Sequence, residues 1–268
     1  MPIFADMERL MSDDELRELL DTEAARINDP RFIANDPVQY PRRFTAVPDV
    51  EIAALLAATI AWGNRTMICR NCERMLSLME GQPLRYVMEE AYEELPDGVN
   101  LHRTFFARSF KHYLRGLRRI YSRYPSLDAF AAAHDVGSDE APAWRLVELL
   151  DGELAAANDG RHDSRCLPSN LRTTALKRVN MALRWLVRRD GIVDMGLWQS
   201  ISPSKLFIPL DVHVGDTARE LGLVERKAND RRTVEELTRR LRRFRPDDPA
   251  IYDFALFGIG IGTKALSD

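Results

Sequence analysis

Residues 171–189 read Leu-Arg-Thr-Thr-Ala-Leu-Lys-Arg-Val-Asn-Met-Ala-Leu-Arg-Trp-Leu-Val-Arg-Arg, and residues 208–223 read Ile-Pro-Leu-Asp-Val-His-Val-Gly-Asp-Thr-Ala-Arg-Glu-Leu-Gly-Leu. In the first stretch, a helical repeat of about 100° per residue puts Ala175, Leu176, Val179, Ala182, Leu183 and Leu186 on one face. Lys177, Met181, Arg184 and Arg188 fall on another. In the second, apolar residues at Val214, Ala218 and Leu221 keep a helical rhythm after Pro209 until Gly222 stops it. Asp211 therefore stands at or beside a helix N-cap, where its carboxylate accepts amide N–H groups and meets the positive end of the helix dipole. Taken alone, such an aspartate is only a cap. With a lysine on the preceding helix it gains a second reading, in which Lys177 and Asp211 act together on a substrate.

Charge is segregated along the chain. The 268 residues carry a net charge of −3 with a sequence pI near 6.0, which weighs mildly against a dedicated nucleic-acid binder. Residues 161–189, however, hold eight basic residues against Asp163 alone, and residues 101–123 hold seven against none. Residues 1–30 are acidic, with nine carboxylates against three arginines. A charge run is usually a solvated face. Here the first run lies on a helix with a packed apolar side and no acidic partner nearby in sequence. A polyanion is the predicted partner.

The segment Pro209-Leu-Asp-Val-His-Val214, with Arg219 and Leu221-Gly-Leu223 after it, resembles the catalytic-aspartate segment of helix-hairpin-helix DNA glycosylases. The upstream helix resembles that of the archaeal-type 8-oxoguanine glycosylases, whose Schiff-base lysine lies a similar distance before the aspartate. The whole chain also resembles an uncharacterised bacterial family, marked by Gly63-Asn-Arg65, Lys177-Arg-Val-Asn-Met-Ala-Leu-Arg-Trp185, Pro209-Leu-Asp-Val-His-Val214 and Asp248-Pro-Ala-Ile-Tyr-Asp-Phe-Ala-Leu-Phe257. The glycosylase resemblance implies that Lys177 and Asp211 are catalytic and that damaged duplex DNA is the partner. Arg172, Arg178, Arg184 and Arg188 of the basic run are the candidate DNA-backbone contacts. The glycosylase resemblance also implies that Asp253 and Phe257 face an extruded base. Trp62, Asn64 and Arg65, which leave a buried helix together, complete the candidate base pocket. One feature departs from the glycosylase pattern: Leu167-Pro168-Ser169-Asn170 holds no glycine where a phosphate-binding hairpin turn would have one, so a tight nest of amides is harder to form.

The rest of the chain reads as helices. Ser12 and Glu15 have capping-box spacing and start a helix over 12–27. Four prolines over 28–48 predict an irregular connector, and Asp49 is predicted to cap an apolar, buried helix over 50–61. Further helices are predicted over 66–79, 83–94, 104–124, 126–134, 142–157, 232–244 and from Asp248-Pro249 onward. No alternating strands are evident. The expected fold is all-α and helix-hairpin-helix glycosylase-like, two helical subdomains with a cleft between them. Residues 1–268 form a single unit. A central subdomain spans 49–160, a hairpin-like segment with the catalytic aspartate spans 161–223, and the second subdomain comes from 1–48 and 224–268.

No apolar run is long enough to span a membrane, and the N-terminus lacks the basic and apolar regions of a signal peptide. Three cysteines suit a reducing cytoplasm. Cys69-x-x-Cys72 lacks a second metal-binding pair, and an iron–sulfur cluster needs four thiolates, so Cys69, Cys72 and Cys166 are read as structural; neither metal nor cofactor is expected. The chemistry implied is base excision: a carboxylate stabilises oxocarbenium charge at C1′ while an amine attacks that carbon. The alternative is a non-catalytic helical module that has kept the glycosylase fold and binds nucleic acid or a protein partner.

Overall fold

The computed structural model describes residues 11–264. It is predominantly helical. The α-helices are α1 (Asp13–Ile27), α2 (Pro30–Ile33), α3 (Val47–Thr59), α4 (Arg65–Ser77), α5 (Pro83–Met88), α6 (Ala107–Tyr121), α7 (Leu127–Ala133), α8 (Pro142–Ala156), α9 (Lys177–Val187), α10 (Val212–Glu220), α11 (Arg231–Phe244) and α12 (Tyr252–Lys264). Strands β1 (Asn100–His102) and β2 (Phe105–Phe106) form an antiparallel hairpin just before α6. This hairpin corrects the expectation of a helix starting at residue 104. Its strands are too short to leave a readable period.

Helix α3 is the structural axis. Residues Val50 to Thr59 are all buried, as an all-round apolar pattern requires, and α9 packs along it. Helix α6 lies against α8, α12 lies against both α1 and α10, and the buried apolar side chains form one continuous core from Leu16 to Leu256. Gly116 lets α6 and α8 approach closely, because a Cβ there would stand 2.4 Å from Leu154 Cδ1 and 2.8 Å from Leu154 Cα. Among the described residues, no helix is long and apolar enough to cross a membrane.

Several local expectations change because a tertiary partner intervenes. The helix predicted over 171–189 starts only at Lys177. Leu176 takes a left-handed conformation (φ +51°), and residues 171–173 form a turn. Asp49 lies inside the first turn of α3. Its carboxylate instead accepts the Leu84 N–H at 2.7 Å, capping α5. Asp248 makes no cap bond, because its carboxylate receives Arg188. The proline-rich stretch 28–48 is not wholly irregular; α2 and two single 3-10 turns, Pro37–Gln39 and Pro41–Arg43, follow its prolines.

A buried acid also ties α3 to its neighbours. Glu51, wholly buried, accepts the backbone N–H groups of Leu127 (2.8 Å) and Asp128 (3.0 Å) and the Tyr121 hydroxyl (3.0 Å). It thus caps α7 from outside. Burial pushes its carboxyl up to about 7, against the pull of these three donors.

Candidate functional site: a cleft headed by Lys177 and Asp211

The ends of α3, α9 and α10 converge on one cleft of about 760 Å³. Lys177 is the first residue of α9, and Asp211 is the N-cap of α10. Asp211 uses Oδ1 to accept the Val214 N–H at 3.0 Å, which leaves Oδ2 directed at Lys177 Nζ, 3.8 Å away. The amine also donates to the Ala61 carbonyl at 3.4 Å, at the end of α3. Asn229 braces the aspartate from behind, its Nδ2 donating to the Asp211 carbonyl at 3.2 Å. With the side chains 30% and 34% exposed, both groups remain reachable from the cleft. An amine and a carboxylate thus share one mouth.

Deeper in, Asp253 projects from α12 onto Arg184 of α9. Burial raises the Asp253 carboxyl to about 6; Arg184 opposes the rise, and the nearby Asp211 adds to it. Arg184 also bonds Asp194 at 3.3 Å. Arg188 continues the chain of charges, pairing with Asp194, with Asp248 at 2.8 Å and with Asp190 at 2.9 Å.

This overturns one part of the sequence reading. Arg184 and Arg188, expected at the DNA backbone, are 3% and 1% exposed and are consumed by carboxylates. The helix showed no acidic partner nearby because Asp194 follows it in a loop and Asp248 and Asp253 return from the end of the chain. Arg178 is half-buried, donating to the Thr59 carbonyl at 2.6 Å and standing 5.4 Å from the Trp62 ring centroid. Arg172 is exposed.

The remaining predicted pocket residues divide. Trp62 and Arg65 line the cleft, as do Asp253 and Phe257. Asn64 instead caps α4, accepting the Met67 N–H at 3.2 Å, and is not among the lining residues. Arg65 lies over Phe257 (4.9 Å) and reaches toward Asp36 (3.6 Å). Phe257 in turn meets Phe32 edge-on at 5.7 Å.

Phe32 and Asp36 were missed by sequence reasoning. Asp36-Pro37 advertises only a turn cap, which it is, its carboxylate accepting the Val38 N–H at 3.0 Å. Burial raises the Asp36 carboxyl, while Arg65 pulls it down. Another missed residue is His102, on β1. Its Nε2 donates to the Trp62 carbonyl (3.0 Å), its Nδ1 accepts from Asn71 (2.9 Å), and its ring meets the indole edge-on at 4.7 Å. The carbonyl can only accept, which fixes this tautomer. Burial lowers the imidazole pKa, so a neutral ring holds the tryptophan. Nothing in sequence links residue 102 to residue 62.

Cys69, Cys72 and Cys166 are free thiols. Among the described residues, no group of three or more His, Cys, Asp or Glu side chains is arranged to hold a metal ion.

Residues 36–262 match the family described as a protein of unknown function, DUF2400, and the chain belongs to that family. No curated protein and no solved structure matches it.

Proposed function

We propose that this member of the DUF2400 family is a DNA base-excision glycosylase and lyase acting on a damaged base, an oxidised purine being the first candidate. The observation that carries the reading is the 3.8 Å approach of the Lys177 amine to the Asp211 carboxylate at the mouth of a cleft large enough for a nucleobase. The two-subdomain glycosylase architecture is part of the same reading, with the cleft as the seam between the halves.

In this mechanism the target nucleotide leaves the stack and its base enters between Trp62 and the Phe257 wall. Positive charge grows at C1′ as the glycosidic bond lengthens, and Asp211 stabilises it. The base departs with the bonding electron pair and takes up a proton. Asp253, whose carboxyl titrates near 6, is suited to supply it. The Lys177 amine gives up a proton as it forms the new bond to C1′, and opening of the sugar ring, with its oxygen taking up a proton, converts the adduct to a Schiff base. Loss of a C2′ proton then expels the 3′-phosphate by elimination.

Borohydride trapping on a duplex containing an oxidised purine tests this. Wild type should form a covalent adduct and Lys177→Ala should not. No adduct with wild type, or an undiminished one with Lys177→Ala, refutes the lyase. The non-catalytic alternative draws its support from the glycine-free turn at 167–170. It requires Asp211→Asn, which keeps a competent helix cap, to leave function intact.

A further inference from the structure

With Arg184 and Arg188 buried, a duplex must be held by other cations. Several surface arginines are neutralised in place: Arg115 by Glu93, Arg119 by Glu153, Arg85 by Glu89 and Arg145 by Glu148. Others carry no ion pair, and among the described residues three of these exposed ones, Arg74, Arg103 and Arg165, gather on the β1–β2 hairpin. Arg74 donates to the Asn100 carbonyl at 3.0 Å, and Arg165 donates to the Thr104 hydroxyl at 3.1 Å. Arg103 is the hairpin tip itself. Its backbone sits in the left-handed region (φ +48°), and the Asn100 amide donates to its carbonyl at 2.6 Å. That turn swings the guanidinium over the bare backbone of Gly63, where a Cβ would stand only 2.6 Å from Arg103 Nη1. The nearest carboxylate in sequence, Asp163, caps the Arg165 backbone N–H instead.

The hairpin is also coupled to the cleft. His102 of the same hairpin bonds the Trp62 carbonyl, and Trp62 lines the cleft. A strained, polar-tipped loop with three free guanidiniums therefore lies beside the place where a base would enter. A non-glycine residue in the left-handed region is strained, and such strain persists where surrounding structure enforces it.

We infer that the β1–β2 hairpin, through Arg74, Arg103 and Arg165, is the surface that grips the phosphodiester backbone next to the cleft. The inference rests on the proposed function for its partner, DNA, and names residues outside the proposed catalytic pair. Phosphate contacts release counterions, so each one contributes about −0.9 to the slope of log affinity against log salt.

The test compares wild type with Arg74→Gln/Arg103→Gln/Arg165→Gln, with the single Arg103→Gln, and with Arg85→Gln as a control on a neutralised arginine. Duplex binding is read by fluorescence anisotropy across a salt series, and trapping is read as a function of DNA concentration. The triple variant should bind about 10- to 100-fold more weakly at low salt, with the slope reduced by about two to three. Arg103→Gln should lower the slope by about one, and Arg85→Gln should change neither. Trapping by the triple variant should need more DNA yet reach the wild-type adduct at saturation. Unchanged affinity and slope in the triple variant, with wild type binding and trapping normally, overturn the hairpin assignment and leave the proposed function standing. Wild type that binds through the hairpin but never traps retains this inference and removes the enzyme. A triple variant that loses affinity for polyglutamate while holding duplex as tightly as wild type overturns the inference and gives the surface to an acidic protein.

Discussion

Replacing Arg184 by methionine perturbs the wall of the cleft without touching Lys177 or Asp211. Methionine keeps part of the aliphatic volume but removes the charge shared by Asp194 and Asp253. Breaking a buried pair from one side costs about 3–5 kcal/mol, because the abandoned charge stays out of water. Against a typical domain stability of about 5–15 kcal/mol, the variant should fold but sit close to its limit. The loss should depend on pH, with a definite sign. Asp253 is raised from the ordinary 3.8 to about 6, so its share of the stability is fully present below the unfolded value and disappears as pH climbs through 6. Arg184 is the group restraining that rise, so its removal pushes the carboxyl higher still. The variant should therefore lose more stability at pH 8 than at pH 5, where Asp253 takes up a proton and the orphaned charge vanishes. Urea unfolding at both pH values measures this, with m-values compared to check the two-state assumption. Adding Asp253→Asn to Arg184→Met should recover part of the pH 8 loss, since contacting residues are not additive. A loss below about 1 kcal/mol, or equal losses at the two pH values, would refute the buried-charge account.

Two further outcomes follow from the core. Glu51 is raised from 4.5 to about 7, so its stabilising share is complete below the unfolded value and fades as pH rises to 7. At about 1.4 kcal/mol per pH unit, wild-type stability relative to Glu51→Gln should drop by roughly 3 kcal/mol across that window. A difference that stays flat between pH 4.5 and 7 in a denaturant series argues against burial as the cause. Gly116→Ala places a methyl group against the Leu154 backbone, which has nowhere to retreat within α8. Overpacking there should cost about 1–3 kcal/mol, and a thermal midpoint equal to wild type would show that the helices can part freely.

What could be read from the sequence was what the chain decides locally. The Ser12–Glu15 capping box forms both of its reciprocal bonds, and Asp211 caps α10 through the Val214 N–H. The apolar run of α3 is buried as its composition demands. Failures came where a distant segment outbid a local one. Asp49 and Asp248 read as caps in the sequence, yet Leu84 and Arg188 claim their carboxylates. Arg184 and Arg188 satisfy a helical period for an exposed basic face, and only the return of α12 and of the loop after α9 buries them. Leu176 fits the apolar face of a longer helix, but its positive φ cuts that helix short. Lys177 was legible because its neighbours in space, Ala61 and Asp211, sit at helix ends that the sequence punctuates clearly. The hairpin was invisible, since strands of three and two residues leave no pattern to detect.

The cleft takes its walls from residues as far apart as Phe32 and Phe257, with the amine midway along the chain. No contiguous fragment owns it. Severed at the exposed Asp159–Gly160 turn, the polypeptide would leave the indole on one piece and the lysine on the other, with the cleft complete on neither. The Lys177 amine thus meets its surroundings only when the chain is whole, so a clipped molecule has no completed pocket in which to present it.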